Sequence, residues 1–288
     1  MAIQYLAASL LAFASLATSA YAKDAEPLVF EPDSQWIGRY EIDHCAFVRK
    51  FKRGDETLQL EFRQYAPGRL IDIILVASDL KATGWDLKLR FDPHQTVIED
   101  VSSYKIRSEL GQDGIYATTH FAAGIDTETF TEEDLLSWAR SVRALHVENA
   151  FRKDLRIETG SLEEMRLIMN HCLADLLVEW GLDKDRHIDL QRSAQITNFE
   201  QLNARMGRSY PIKALNRGKH GPVRIRVKIN RNGIASDCIA LASITYDALS
   251  ERACKTLVKY GEFEPAIDAT GVAIDSYYLQ SISYFVAR

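Results

Sequence analysis

The chain has 288 residues, of which 47% are hydrophobic, 26% charged and 10% aromatic. This composition is typical of a globular protein and excludes a disordered chain, a coiled coil and a polytopic membrane protein. The length allows two modest domains. Nine of the 35 Lys and Arg residues lie between positions 201 and 236, where there is no Asp or Glu. The remainder has 26 basic against 40 acidic residues, a net charge of about −14, so one region is basic and the rest is acidic.

The first 22 residues have the pattern of a secretory signal peptide. Residues 6–16 form a short apolar stretch, and Ala20-Tyr21-Ala22 fits a cleavage site before Lys23. No Lys or Arg precedes the stretch, which leaves an uncleaved anchor as the alternative, although the stretch is short for a membrane span. We therefore expect export to the periplasm, removal of residues 1–22 and no later membrane span.

Residues 23–185 are predicted to form a β-rich N-terminal domain. Apolar and polar residues alternate over 58–62 and over 87–91, and residues 70–76 form an apolar run. Alternation with a period of two is typical of strands with one buried and one wet face. Gly54-Asp55 predicts a hairpin turn between the first two strands. The pattern favours a largely antiparallel sheet from about residue 38 to residue 121.

Helices and two further strands are predicted after this sheet. Thr131 begins a helix-start pattern, and Ser161 with Glu164 predicts a capping box for a longer helix that ends at Gly181. Cys172 lies on the apolar stripe of that longer helix. Residues 145–147 and 155–157 predict the two strands. The polar segment 186–207 is predicted to be an inter-domain linker, with one helical turn near residues 199–202.

Residues 208–288 have the clearest pattern in the chain. A short helix is predicted after Pro211. Apolar residues at 223, 225, 227 and 229 alternate with polar ones, which predicts a strand with one apolar and one basic face. Asn232-Gly233 predicts a type I′ turn into a second strand. A helix over 249–258 and an aromatic last strand over 276–286 complete the order helix, strand, strand, helix, strand.

The four cysteines fit an exported protein with disulfide bonds. Four thiols allow three pairings, and proximity favours Cys45–Cys172 and Cys238–Cys254. A His-Cys dipeptide at both 44–45 and 171–172 raises zinc binding as the alternative. Neighbouring residues of a strand point to opposite faces, so a Cys and its adjacent His cannot easily share a metal ion. We therefore expect two disulfides and no metal site.

No catalytic motif is apparent in the sequence. The motifs Gly-x-Ser-x-Gly, His-Glu-x-x-His and Gly-x-x-x-x-Gly-Lys are absent. Asp183, Asp185 and Asp189 approach a calcium-binding spacing, but no Gly or distal Glu completes a loop. We expect a non-enzymatic protein without a cofactor. The alternative is a periplasmic enzyme whose site, in the N-terminal domain, has no recognisable motif.

The segment 210–285 resembles the C-terminal domain of TonB. The motifs that carry this resemblance are, in chain order, Tyr210-Pro211, Gly221-Pro222-Val223, Asn232-Gly233, Phe263-Glu264-Pro265-Ala266 and Gly271. The resemblance implies an α+β module that docks onto outer-membrane receptors from the periplasm. Upstream, the chain is similar to secreted bacterial proteins that end in such a domain, through Cys45, Glu158-Thr159-Gly160-Ser161-Leu162, Cys172 and Trp180-Gly181.

This resemblance implies a binding site on the last strand, which would accept a partner's peptide as an added strand. The residues expected at that edge are Tyr278, Gln280, Ser281 and Ile282. The expected partner is an envelope or outer-membrane protein, which implies a link to TonB-type transport across the outer membrane. A TonB energy transducer also has an uncleaved membrane helix and a long Pro-rich spacer, whereas the seven prolines here are scattered. A binding or scaffold role is therefore favoured over energy transduction.

Arg224, Arg226 and Lys228 form a second candidate site on the basic strand. Such a row fits an anionic partner. The alternative is the solvated face of a sheet. The stretch lacks the interleaved aromatic residues of a nucleic-acid binder, so no nucleic-acid partner is expected.

Overall fold

The computed structural model of the chain describes residues 26–83, 86–99, 101–123, 131–187, 190–219, 221–241 and 247–284. The predicted signal peptide, residue Asp189 and the end of the predicted last strand after residue 284 lie outside these ranges.

The N-terminal domain is a curved sheet with two helices. Its elements are β1 Leu28–Pro32, β2 Ile37–Tyr40, β3 Cys45–Arg53, β4 Glu56–Gln64, β5 Leu70–Ala77, β6 Lys88–Asp92, β7 Ser102–Arg107, β8 Asp113–His120, α1 Glu132–Ser141, β9 Ala144–Glu148, β10 Leu155–Ile157 and α2 Glu163–Glu179. The described strands form one ten-stranded sheet in the order β6-β9-β10-β1-β3-β4-β5-β8-β7, with β2 also paired to β3. Only the β1–β10 pair among them is parallel. The predicted antiparallel sheet is thus confirmed and extends to residue 157.

The core of this domain lies inside the curve of the sheet. Phe62 on β4 and Phe91 on β6 are far apart in strand order, yet their ring centroids are 6.5 Å apart. Trp138 of α1 closes the gap, since its ring lies 5.0 Å from Phe91 and 5.8 Å from Phe121. Packing of aromatic rings at these separations adds about 0.5–1.5 kcal/mol per pair beyond area burial. The curve therefore places one face of the sheet on this core and leaves the other face for a second layer.

Of the two predicted helix starts, the first is confirmed and the second is not. A capping box forms at Thr131, whose side chain accepts from the Asp134 N–H while the Asp134 side chain accepts from Thr131. The box predicted from Ser161 and Glu164 is wrong, because α2 begins at Glu163 with Leu162 as its N-cap residue. Leu162 is completely buried, so its side chain packs in the core at the position where a capping side chain would accept a hydrogen bond.

The segment predicted as a linker belongs to the C-terminal domain. After a 3-10 turn at Asp185–His187, β11 Gln195–Ile196 precedes a ten-residue helix, α3 Phe199–Arg208. Leu202 and Met206 lie one turn apart on α3 and are buried in the second hydrophobic core. The four-residue spacing of these apolar side chains stabilises a full helix where one turn was predicted.

The C-terminal domain contains the helices α4 Ile212–Asn216 and α5 Asp247–Tyr260 and the strands β12 Gly221–Ile229, β13 Ala235–Ala240, β14 Phe263–Glu264, β15 Ala266–Ile267, β16 Ala273–Ile274 and β17 Ser276–Tyr284. Its main sheet has the order β13-β12-β17. Val223, Ile225 and Val227 are completely buried and share a core with Leu249 and Leu257 of α5. The predicted order of helix, strand, strand, helix and strand is confirmed.

The turn between β12 and β13 is not of type I′. A type I′ turn needs two residues with positive φ, and of the pair Asn232-Gly233 only Gly233 has one, at 78°. The Asn230 side chain instead accepts from the backbone N–H groups of Asn232 and Ile234. The register then shifts between Lys228 and Ile229, which indicates a bulge. The strands are therefore joined by a loop longer than a two-residue turn, and the Asn230 side chain stabilises it.

Both predicted disulfides are present, one in each domain. Cys45 on β3 is bonded to Cys172 on α2, and Cys238 on β13 is bonded to Cys254 on α5. Each bond therefore ties a strand to the helix that covers it.

Candidate functional site

The last strand, β17, lies at an edge of the C-terminal sheet. Among the described residues it pairs with β12 alone. The carbonyl of Arg224 accepts from the Leu241 N–H at 2.9 Å, so the backbone groups of Arg224 point toward the β13 side. Since direction alternates along a strand, those of Val223, Ile225 and Val227 point toward β17. One edge of β17 is thus satisfied by β12.

The register then assigns the outward positions of β17. Ile282, Gln280 and Tyr278 lie opposite Val223, Ile225 and Val227, so their backbone groups point to β12. The backbone groups that point outward are those of Tyr277, Leu279, Ser281 and Ser283. Of the four residues predicted at the edge, only Ser281 therefore offers its backbone to a partner, which corrects the predicted set.

Side chains around the edge add two contacts. The Gln280 side chain donates to the outward carbonyl of Ser281 at 2.7 Å and is itself bonded by the Tyr278 hydroxyl. Near the end of β17, the Ser283 hydroxyl lies 2.6 Å from the hydroxyl of Tyr104 on β7. A partner strand would therefore meet a free N–H at Ser281 beside a carbonyl that the Gln280 side chain already covers.

The basic face of β12 is directed at the N-terminal domain. Arg224 forms an ion pair with Asp72 of β5 at 2.7 Å, and its guanidinium lies 4.9 Å from the ring centroid of Tyr65. Asp72 also accepts from the hydroxyls of Thr118, at 2.7 Å, and Tyr116. Arg224 is 4% exposed and Asp72 is 0% exposed, so the pair is enclosed between the two domains.

The other two basic residues contact Trp180, which follows α2. The Arg226 guanidinium lies 3.8 Å from the ring centroid of Trp180, and Lys228 Nζ donates to the Trp180 carbonyl at 3.4 Å. Tyr277 packs edge-on against the same ring at 5.3 Å. The predicted patch for an anionic partner is therefore an inter-domain contact in this structure, because aromatic rings and a buried carboxylate of the N-terminal domain already occupy it.

Burial governs the titration of this contact. Burial raises the pKa of the Asp72 carboxyl, and the Arg224 guanidinium and the two hydroxyls oppose that rise. Burial and the neighbouring Asp72 raise the pKa of Tyr116, so its hydroxyl remains a donor at neutral pH. Burial also lowers the pKa of Arg226. These directions are those of groups withdrawn from water.

The N-terminal half of this contact was not predicted, although one signal in the sequence indicates it. Asp72 is the single charged residue in the apolar run 70–76. A carboxylate in a buried strand requires polar partners. Asp72 lies on the outer face of β4 and β5, together with Glu61 and Arg63. The face predicted to be wet is thus partly covered by the second domain.

A cavity beside the end of α2 is small and polar. It has a volume of about 180 Å³ and is lined by residues 181–183, Arg186, His187, Arg231 and residues 273–275. Its charged groups are engaged: Arg186 pairs with Asp268, and His187 bonds the Asp183 carbonyl and the Ser276 hydroxyl. Ligand pockets usually measure about 300–1,000 Å³, so this cavity is smaller than a typical ligand pocket.

The acidic spacing that approached a calcium loop has a structural role. Asp183 Oδ1 accepts from the backbone N–H groups of Asp185 and Arg186, while Asp189 is outside the described residues. Across the residues that the structure describes, there is no group of three or more His, Cys, Asp or Glu that could hold a metal ion. In the same part of the chain, no helix combines the length and the apolar character needed to cross a bilayer.

Fold and site together define a two-domain α+β protein whose C-terminal domain exposes a sheet edge. That domain is TonB C-terminal domain-like: residues 206–285 match the family described as Gram-negative bacterial TonB protein C-terminal. The match spans slightly more than a quarter of the chain. The solution structure of the TonB C-terminal domain of Helicobacter pylori, residues 179–285, is 18% identical, covers 38% of this chain and 87% of its own, and gives a TM-score of 0.25. None of the curated proteins compared with the chain matches it.

Proposed function

We propose that this protein is a non-enzymatic binding or scaffold protein of the bacterial envelope, exported to the periplasm by residues 1–22. It captures a strand of an envelope or outer-membrane protein at the outer edge of β17. The observation that carries this proposal is the row of outward backbone groups at Tyr277, Leu279, Ser281 and Ser283. An unpaired edge is a template for another strand, and backbone bonds give such complexes their affinity.

The family match supports the proposed location in the envelope and the proposed kind of partner. TonB C-terminal domains act in the envelope, and residues 206–285 match that family. The extended strand β17 provides nine residues for pairing. Transport across the outer membrane is therefore the process in which we place the complex.

The inter-domain contact supports a scaffold in which the edge has a fixed place. Arg224, Arg226 and Tyr277, on β12 and β17, contact Asp72 and Trp180 of the N-terminal part. A flexible tether would not need such contacts. The N-terminal domain in this proposal is a base that holds the edge strand at a set distance and angle.

The small cavity supports a non-enzymatic role over the alternative of a periplasmic enzyme. An active site needs a pocket in which ionisable groups converge on a substrate. In the N-terminal domain, the cavity beside His94 and Trp138 measures only about 30 Å³. Beside the 180 Å³ cavity, Arg186 is already paired with Asp268. A substrate would have to displace those bonds.

The test removes one outward N–H from β17. Ser281→Pro deletes that donor, whereas Ser281→Ala keeps it and serves as the matched control. Tagged full-length variants would be used to capture partners from envelope extract, with photo-crosslinking from position 283 to identify the chain at the edge. We expect Ser281→Pro to weaken capture roughly tenfold, the effect of about one backbone hydrogen bond, and Ser281→Ala to bind normally.

A second control addresses the opposite edge of the same sheet. Ala240 is exposed on β13, and because Arg224 and Leu241 form a bonded pair, the Ala240 backbone points outward. Ala240→Pro should leave capture unchanged. Normal capture by a folded Ser281→Pro protein, as judged by circular dichroism, would eliminate strand addition at β17.

A further inference from the structure

A cluster of unpaired cations lies where α3 passes into α4, away from the inter-domain contact. Its members are all exposed: Arg205, Arg208, Lys213, Arg217 and Lys219. None of them forms an ion pair with a described residue. No Asp or Glu occurs between positions 201 and 236. The cluster therefore has a positive charge that no acidic residue within this segment neutralises.

Exposed aliphatic side chains stand among these cations. Ile212 is 73% exposed and Leu215 is 43% exposed on α4, while Ala214 between them is fully buried. Aliphatic side chains on a short helix would normally turn inward, because their burial is worth about 1.5–3 kcal/mol each. Here the small Ala214 faces the core and the two large side chains face outward, so α4 presents an apolar surface beside the charges.

The segment that carries these residues is anchored to the sheet. Tyr210 packs edge-on against Tyr284 of β17 at 5.3 Å, and its hydroxyl donates to the Lys219 carbonyl. The two ends of the cationic segment are thus linked to each other and to the end of β17. The exposed side chains are held in place by a packed scaffold.

Tyr260 at the end of α5 extends the same surface. The Arg205 guanidinium lies 4.1 Å from the Tyr260 ring centroid, and Lys259 Nζ lies 5.2 Å from it. Tyr260 is 38% exposed. A half-exposed tyrosine flanked by cations is typical of the boundary between water and a lipid bilayer.

We propose that this surface, formed by residues 205–219 with Tyr260, docks onto a phospholipid bilayer with anionic headgroups. The cations attract the headgroups, and Ile212 and Leu215 enter the boundary with the acyl chains, as in basic amphipathic segments that lie on membranes. Outside residues 201–236 the chain has a net charge of about −14, so an anionic membrane repels the rest of the protein. This repulsion favours the orientation in which residues 205–219 face the bilayer.

A bilayer fits this surface better than an acidic protein. A protein partner usually inserts anchor side chains into pockets, whereas Ile212 and Leu215 protrude from this surface. A bilayer requires no pocket, and it accepts protruding aliphatic side chains directly. Docking would also place the end of β17 near the membrane, because Tyr284 lies opposite Gly221 and against Tyr210.

The test measures sedimentation of the full-length protein with vesicles of phosphatidylglycerol and phosphatidylcholine, and with vesicles of phosphatidylcholine alone. We expect binding to the anionic vesicles only, weakening as salt is added. The triple variant Lys213→Gln, Arg217→Gln and Lys219→Gln should bind on the order of 10- to 100-fold more weakly, given the usual contribution of a basic residue near an anionic surface.

A matched variant removes three charges elsewhere. Lys81, Arg152 and Lys153 are also exposed and close together, since Arg152 N–H donates to the Lys81 carbonyl. Their change to Gln lowers the net charge equally, and we expect no change in binding. All variants have the same N-terminus, so any contribution of residues 1–25 cancels. Equal weakening by the two triple variants would overturn the proposal, because the effect would then follow net charge alone.

The apolar part of the proposal has its own variant. Ile212→Ser with Leu215→Ser should weaken vesicle binding severalfold while the dependence on salt stays the same. Binding to phosphatidylcholine vesicles equal to that on anionic ones would overturn the proposal. So would retention of the protein by soluble polyglutamate without any vesicle binding, which would indicate an acidic macromolecule as the partner. Circular dichroism checks that each variant is folded.

Discussion

Arg224 of β12 and Asp72 of β5 form an ion pair that joins the two domains at 2.7 Å, with 4% and 0% of their side chains exposed. Both groups have left water, and hydroxyl groups of Tyr116 and Thr118 complete the shell of the carboxylate. A buried pair adds little net stability, but the loss of one partner leaves an unpaired charge in the interior. The main effect of the contact is therefore the free-energy cost that follows when one partner is removed.

Loss of either partner of this pair should destabilise the protein strongly. We expect Arg224→Ala or Asp72→Ala to lower the free energy of unfolding by about 3–5 kcal/mol, measured by urea denaturation. The double variant should lose less than the sum, because it leaves no lone charge. Arg231→Ala is the control: its ion pair with Asp275, at 3.7 Å, is well exposed, so its loss should cost less than about 1 kcal/mol. Similar small effects of Arg224→Ala and Arg231→Ala would contradict the buried pair.

Asp268 should make the C-terminal domain sensitive to acid. The Arg186 guanidinium holds the pKa of the Asp268 carboxyl well below its usual range, and bonds from Thr270 and Val272 add to this effect. The folded pKa is lower than the unfolded value of about 3.9, so the stabilisation is present above pH 4 and is lost as the pH falls below it. Asp268→Asn should lower the Tm at pH 7, and the difference from wild type should shrink as the pH falls below 4.

Glu251→Gln provides the comparison for that pH series, because Glu251 is 68% exposed in its contact with Lys255. Its Tm should follow the wild type throughout. A constant difference between Asp268→Asn and wild type from pH 7 to below 4 would show that the carboxylate charge is not what stabilises the domain.

Gly233 should tolerate no side chain. Its φ is +78°, and a Cβ there would lie 2.3 Å from the carbonyl oxygen of Phe263. Gly233→Ala should therefore cost at least about 1–2 kcal/mol for the left-handed backbone alone, with a further cost from the clash. Gly207→Ala, within α3 and with open space around it, should instead stabilise by up to about 1 kcal/mol. Urea denaturation of both variants measures the contrast, and equal effects would contradict the turn geometry.

The two disulfides should differ in their contribution to stability. The Cys45–Cys172 bond spans 127 residues and the Cys238–Cys254 bond spans 16. In the chain-entropy account, the longer loop stabilises by about 5 kcal/mol and the shorter by about 3 kcal/mol. Replacing each pair with serine should reproduce that order in the free energy of unfolding. Peptide mapping without reduction checks the pairing first, and a cross-domain pair would exclude both values.

Several elements could be predicted because their signals are local. The alternation of residues 223–229 predicted β12, because a period of two places all the apolar side chains on one face of a strand. The spacing around Cys172 specified α2 in the same way. The boundaries are less predictable. The sequence predicts one turn of α3 because the apolar pair Leu202 and Met206 stands in a largely polar segment, and their common burial appears only once α5 packs against them.

At the candidate site, the edge residues of β17 show what could not be predicted from the sequence. The sequence indicated that β17 is the strand on which to look, but side-chain patterns do not tell which backbone groups point outward. Direction depends on the register with β12, which pairs Gln280 with Ile225 and Ser281 with Arg224. A shift by one residue would exchange the two roles, so only the paired structure assigns the outward N–H to Ser281.

The two-domain α+β organisation and the TonB-like order of elements could be predicted from the sequence, because periodicity is a property of neighbours along the chain. The disulfide pairs could be predicted because each predicted domain contains two cysteines. The covering of the basic face of β12 could not be predicted, because it depends on how the two domains pack. An alternating strand has a polar face whether water or another domain meets it. Asp72 and Arg224 are 152 residues apart. They need each other only because both are withdrawn from water, where a lone charge is costly, and neither segment encodes that condition alone.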